Sequence, residues 1–137
     1  MIHLSNVFPE LIDYSLLAPL IMRVILGLVL LNLGWLKMHK EKNGWVMFMR
    51  AMNFKRAREI VTTFGLLEFA GGLMLIVGIY TQPVALAFIL LGGIQLFIES
   101  KEESLLRRDF VFYLLMTAIA TSLLLTGAGL YAVDWAL

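Results

Sequence analysis

The sequence predicts an all-α integral membrane protein, a four-helix up-down bundle. Three observations lead there. The chain of 137 residues is 61% hydrophobic and 15% charged, against roughly 45–50% apolar and about 25% charged in a soluble domain. The apolar residues gather into four long blocks, at about 16–36, 60–80, 84–98 and 110–126. Those blocks use most of the chain, so 1–137 reads as a single transmembrane domain. Finally, Lys and Arg are confined to alternate connections: seven lie between Lys37 and Arg58, three between Lys101 and Arg108, and the eleventh is Arg23. Basic loops stay on the cytoplasmic side. Both basic connections are therefore expected inside and both termini outside, in a multi-pass arrangement.

Taken in order, residues 1–14 are a short lead. It holds Glu10 and Asp13 rather than a basic stretch, and no A-x-A site follows the first apolar run. That is not the pattern of a cleaved signal peptide. Span one, 16–36, and span two, 60–80, are each 21 residues long. At about 1.5 Å per residue such a helix crosses the ~30 Å hydrocarbon core. Between them, Trp45, Phe48, Met49 and Met52 recur at i, i+3, i+4 and i+7, with Arg50, Lys55, Arg56 and Arg58 alongside. This pattern suits an amphipathic helix lying on an anionic leaflet; a solvated basic loop that only sets topology is the plainer alternative. Thr81-Gln82-Pro83 is read as a very short turn, which makes spans two and three antiparallel neighbours. The charged stretch 99–109 leads into span four. Tyr14, Tyr80, Tyr131 and Trp135 are expected at the outer interface, and Trp35 and Trp45 at the inner one.

Two charges interrupt the apolar runs: Arg23 in span one and Glu68 in span two. An ionisable group at that depth costs a few kcal/mol or more unless it snorkels or is paired. Arg23 shares a helical face with Gly27, Leu30 and Gly34, and Glu68 shares one with Gly65 and Gly72, faces suited to close helix contact. Aligning the ends of the two runs offsets the charges by roughly 7–8 Å at helical rise, within reach of an Arg side chain. They are expected to meet, either as an ion pair locking the hairpin or as a polar site for an anion or a quinone-like head group; snorkelling of Arg23 is the third possibility. Asp134, beyond the break Gly127-Ala128-Gly129, would join them if the tail folds back.

Polar stripes also run along span three (Gly92, Gln95, Glu99) and span four (Asp109, Tyr113, Thr117, Thr121). Thr and Gln on such faces are expected to hydrogen-bond between helices. Asn32, Trp35 and His39 lie about 180° from Arg23, on a face for lipid or a second subunit. The chain has no cysteine, which removes disulfides, thiolate metal sites and any thiol relay of its own. His3 and His39 fall on opposite sides of the membrane, so no metal site is expected. No phosphate loop, dinucleotide fingerprint or nucleophile elbow is present, no catalytic residue can be named, and nothing points to nucleic acid.

The segments RVILGLVLLNLGWLKM, GLLEFAGGLMLIVGIYTQPVAL and GAGLYAVDWAL resemble the DoxX family (DoxX/DoxD-like four-helix membrane proteins). The most specific piece is G-x-x-E-x-x-G-G in span two, then the terminal G-x-G-x-x-x-x-D. The chain departs where relatives often carry His before the span-one glycine, since here Leu33 precedes Gly34. The resemblance implies a bacterial or archaeal cytoplasmic (inner) membrane protein, linked to redox and sulfur metabolism. One relative, DoxD, is a membrane subunit of thiosulfate:quinone oxidoreductase. Arg23, Glu68 and Asp134 are the polar residues it carries over. The leading expectation is a small subunit of a quinone- or sulfur-linked membrane redox system. It would hold no cofactor of its own, would take a quinone at most, and would partner other membrane or redox subunits or itself. A structural or assembly subunit of a larger complex comes second, and a small-solute or proton transporter third.

Overall fold

The computed structural model describes residue 14, residues 17–101, 110–129 and 131–133, and the side chains of all of these except 98–101. The described residues form five helices and no strands: α1 Leu17–Met38, α2 Lys42–Ala51, α3 Ala57–Val77, α4 Thr81–Lys101 and α5 Phe110–Thr126. α1 and α3 are long and apolar enough to cross a membrane, while α5 and the Thr81–Phe97 part of α4 are apolar but shorter.

Glycine sets how α1 meets α3. A Cβ on Gly27 would lie 2.8 Å from the Gly72 carbonyl oxygen, and one on Gly34 would lie 2.6 Å from both the Gly65 carbonyl oxygen and the Phe69 nitrogen. The backbones approach where no side chain intervenes, as close-packed membrane helices do. As 27 faces 72 and 34 faces 65, the two helices are antiparallel. α4 meets α3 where Phe88 and Val84 pack over Gly71. α4 meets α5 where Gly92 admits Thr117 and where the Gln82 side chain donates to the Leu124 carbonyl at 3.1 Å. Those pairs also run antiparallel. One apolar core joins all four long helices through Leu26, Leu30, Leu75, Phe88, Met116 and Leu123.

The turn between α3 and α4 differs from the expected one. It is 78–80, not Thr81-Gln82-Pro83, which instead form the first turn of α4. Proline is accepted there because first-turn N–H groups have no intrahelical partner. Gly78 ends α3 in the left-handed conformation, at φ 78°, and the N–H groups of Gly78 and Ile79 both donate to the Met74 carbonyl. α3 therefore sits three residues earlier than its apolar run suggests, 57–77 instead of 60–80.

The first connection contains the expected amphipathic helix, but α2 does not spend its apolar face on lipid. Trp45 and Met49 are buried in a second cluster with Ala57, Val61 and Tyr113, so Trp45 is a core residue rather than an interfacial one. Met52 is exposed. Thr117 and Thr121 donate to the carbonyls four residues back, at 2.8 Å each. Their hydroxyls are spent on their own helix, not between helices. Asn32, Trp35 and His39 do face outward, with Trp35 and His39 stacked at 4.1 Å. The side chain of Glu99, and Asp109 and Trp135 altogether, lie outside the described residues.

Candidate functional site

Arg23 and Glu68 do not meet. The register that pairs Gly27 with Gly72 places Glu68 level with residue 31, eight residues from Arg23, or about 12 Å along the helix. Aligning the apolar runs missed this by three residues. Each charge is fully buried (1% exposed) and finds other partners.

Arg23 works near the N-terminal end of α1. Its guanidinium donates to the Ala128 carbonyl at 2.9 Å and, at 3.4 Å, to that of Tyr131. It also lies against Gly78, where a Cβ would come within 2.5 Å of Nη1 and 2.9 Å of the Ala132 Cα. Gly78 is thus required twice, for its positive φ and for the room it leaves the guanidinium. The described part of the tail returns over Arg23 through Gly127 and Gly129, at φ 78° and 72°. Asp134 itself lies outside the described residues.

Glu68 is held at mid-depth by two residues from other helices. Lys37 Nζ of α1 donates to Glu68 Oε1 at 2.6 Å, and Gln95 Nε2 of α4 donates to the same oxygen, also at 2.6 Å. Lys37 is 4% exposed, and its ammonium lies 4.4 Å from the centre of the Trp45 ring of α2, a cation–π contact. Three helices, α1, α3 and α4, therefore meet at one carboxylate, and α2 covers its lysine. The other oxygen, Glu68 Oε2, is buried and makes no hydrogen bond. Such an orphan acceptor costs about 1–3 kcal/mol, more when charged.

Beside this cluster is a cavity of about 20 Å³, lined by Lys37, Trp45, Val61, Phe64, Ile94 and Gln95 among others. That is room for about one water or one polar atom of a ligand. Ile94 is exposed and Phe64 half-buried, so the cavity lies behind the outward seam between α3 and α4. The arrangement offers a buried cation and an amide on the wall of the cavity, and in the same cluster a carboxylate with one unused oxygen. Chemically it suits a hydroxyl that donates to Glu68 while the rest of its molecule stays in an apolar medium.

Two of these residues were visible in the sequence. Glu68 interrupts an apolar run, and Gln95 lies on a polar stripe. Lys37 reads from the sequence as part of the basic loop. The signal for it was present: Gly27, Leu30, Gly34 and Lys37 continue one face at steps of three and four, and α1 runs on to Met38.

The family model for DoxX matches residues 18–98, which takes in Arg23, Lys37, Glu68 and Gln95. The chain belongs to the DoxX family. No curated protein and no solved structure matches it. As a DoxX protein it is membrane-associated, consistent with its two span-length apolar helices.

Proposed function

We propose that this DoxX protein is a four-span inner membrane subunit of a redox system, binding the head group of a lipid-soluble quinol at Lys37, Glu68 and Gln95. The reading rests above all on Glu68 Oε2, a buried carboxylate oxygen without a hydrogen bond, in a cluster whose other two members, Lys37 and Gln95, line a cavity at the α3–α4 seam. A quinol hydroxyl donates a hydrogen bond and an oxidised quinone carbonyl does not. A site built on an unused acceptor therefore prefers the reduced carrier. Lys37 would offset charge as the proton leaves, and Glu68 would receive it. The ring is too large for the cavity and would lie in the seam, against Phe64 and Ile94. Electrons would pass to a cofactor on a partner chain, since the chemistry of transfer belongs to carriers rather than to these side chains.

Support for four spans comes from the antiparallel contacts among α1, α3, α4 and α5, and for the inner membrane from the family. The test is equilibrium binding of a menaquinol or ubiquinol analogue, reduced and oxidised, to the chain in nanodiscs. Wild type is expected to prefer the reduced form. Glu68→Gln is expected to lose that preference, and Arg23→Met to keep it. Equal binding of both forms by wild type and Glu68→Gln would remove the proposed role of Glu68. A purely structural or assembly subunit is favoured if neither form binds, because Lys37, Glu68 and Gln95 also tie α1, α3 and α4 together.

A further inference from the structure

Where α2 meets the start of α3, the surface forms a hollow of about 290 Å³ lined by Lys42, Asn43, Val46, Met47, Arg50 and Arg58. It is the size of a small ligand pocket. Among the described residues three cations border it and no carboxylate does. Among the described residues none of the three is in an ion pair; the salt bridges are Lys37–Glu68 and Arg56–Glu59. The nearest acids in sequence, Glu41 and Glu59, do not line the hollow. α3 also begins here with no side-chain cap on its first N–H groups, which adds the positive end of its dipole. Large apolar side chains stand exposed around the same corner: Met47, Met52 and Phe54.

We infer that this hollow binds the phosphate of an anionic phospholipid from the leaflet on this side of the membrane. Three like charges gathered with no counter-charge among the described residues repel one another, and an anion between them relieves that. Arg50 and Arg58 supply forked donors that match phosphate oxygens, and Lys42 supplies a point charge. Asn43 adds a neutral donor. Met47 and Val46 on the wall of the hollow, with Phe54 nearby, face the glycerol and upper acyl region. A free phosphate ion would leave that apolar margin in water. The lipid satisfies both halves of the site, and it fastens the α2–α3 corner to the membrane surface independently of the Lys37–Glu68 cluster.

The experiment is lipid retention by native mass spectrometry, on the whole chain taken from nanodiscs containing phosphatidylglycerol and phosphatidylcholine. Wild type is expected to keep phosphatidylglycerol selectively. The triple variant K42Q/R50Q/R58Q is expected to lose about a hundredfold in that selectivity, from roughly fivefold per cation at a membrane surface. A control with equal charge loss outside the hollow, K40Q/K55Q/R56Q, is expected to keep most of it. Equal losses in the two variants would reduce the effect to diffuse attraction and overturn the site. Displacement of the lipid by millimolar inorganic phosphate would overturn the lipid assignment. If the triple variant fails to fold, R50Q and R58Q alone, both at exposed positions, are each expected to lose about fivefold. Unchanged retention in both would overturn the proposal.

Discussion

Glu68 accepts two hydrogen bonds on one oxygen and none on the other, and its partner Lys37 is buried too. Removing one member of such a pair leaves a buried charge, at about 3–5 kcal/mol, whereas replacing both with apolar or neutral groups costs far less. Lys37→Met and Glu68→Gln are each expected to lower stability by that amount, and the double variant by much less than the sum. Thermal unfolding in mild detergent measures the cycle. Arg23→Met combined with Glu68→Gln is expected to be additive, because the two sites lie about 12 Å apart by helical rise and share no partner among the described bonds. Coupling between Arg23 and Glu68 would contradict the register drawn from the glycines. At this scale the sequence was legible wherever polarity broke an apolar run, as at Arg23, Glu68 and Gln95. It was misleading where polarity coincided with the end of a run. Lys37 looks like the first residue of a basic loop, yet its long stem carries the ammonium back into the core.

Among the elements, the α1–α3 contact depends on glycine because the atoms facing it are backbone. A Cβ at Gly34 would meet the Gly65 carbonyl and the Phe69 nitrogen at 2.6 Å, and neither can swing aside. Gly34→Ala is expected to force the helices apart and cost about 1–3 kcal/mol or more. Gly93 of α4 has nothing within 4 Å of that position. Gly93→Ala is therefore expected to be neutral or up to about 1 kcal/mol stabilising. Unfolding midpoints of the two variants decide it, and equal losses would refute the packing account. α2 gives the companion case. Trp45 is buried beneath Lys37 and beside Val61, so Trp45→Ala is expected to cost about 3–5 kcal/mol, while Met52→Ala at an exposed position should cost little. The periodicity of Trp45, Phe48 and Met49 made the helix readable from the sequence. It did not reveal what the helix packs on, because an apolar stripe suits a leaflet and a neighbouring helix equally. The α3 boundaries slipped for a similar reason: hydropathy marks where lipid-like residues begin, while Gly78 and the Arg58–Glu59 first turn mark where the helix does.

For the whole molecule, the outward surface is apolar over the length of the long helices. Ile21, Ile25 and Leu28 on α1, Leu66 and Leu73 on α3, Leu86, Leu90 and Ile94 on α4, and Val111, Leu114 and Leu115 on α5 are all exposed. In water that surface would be a large uncovered patch; in a bilayer it is the lipid face. The cations divide cleanly across it. Apart from Arg23, which is held inside by the tail, the Lys and Arg residues lie in the 37–58 and 101–108 stretches. The 78–80 turn and the tail have none. Charge asymmetry of this kind fixes orientation during insertion, so Lys55 is expected on the cytoplasmic side and Gln82 on the outer one. The chain has no cysteine, so a single introduced thiol reports its own position. Lys55→Cys and Gln82→Cys substitute exposed residues at opposite ends of the helices. In intact cells an impermeant maleimide is expected to label Gln82→Cys at once and Lys55→Cys only after permeabilisation. The reverse pattern would invert the protein and place the Lys42, Arg50 and Arg58 hollow on the outer leaflet. Labelling of both in intact cells would show that α3 does not cross the membrane.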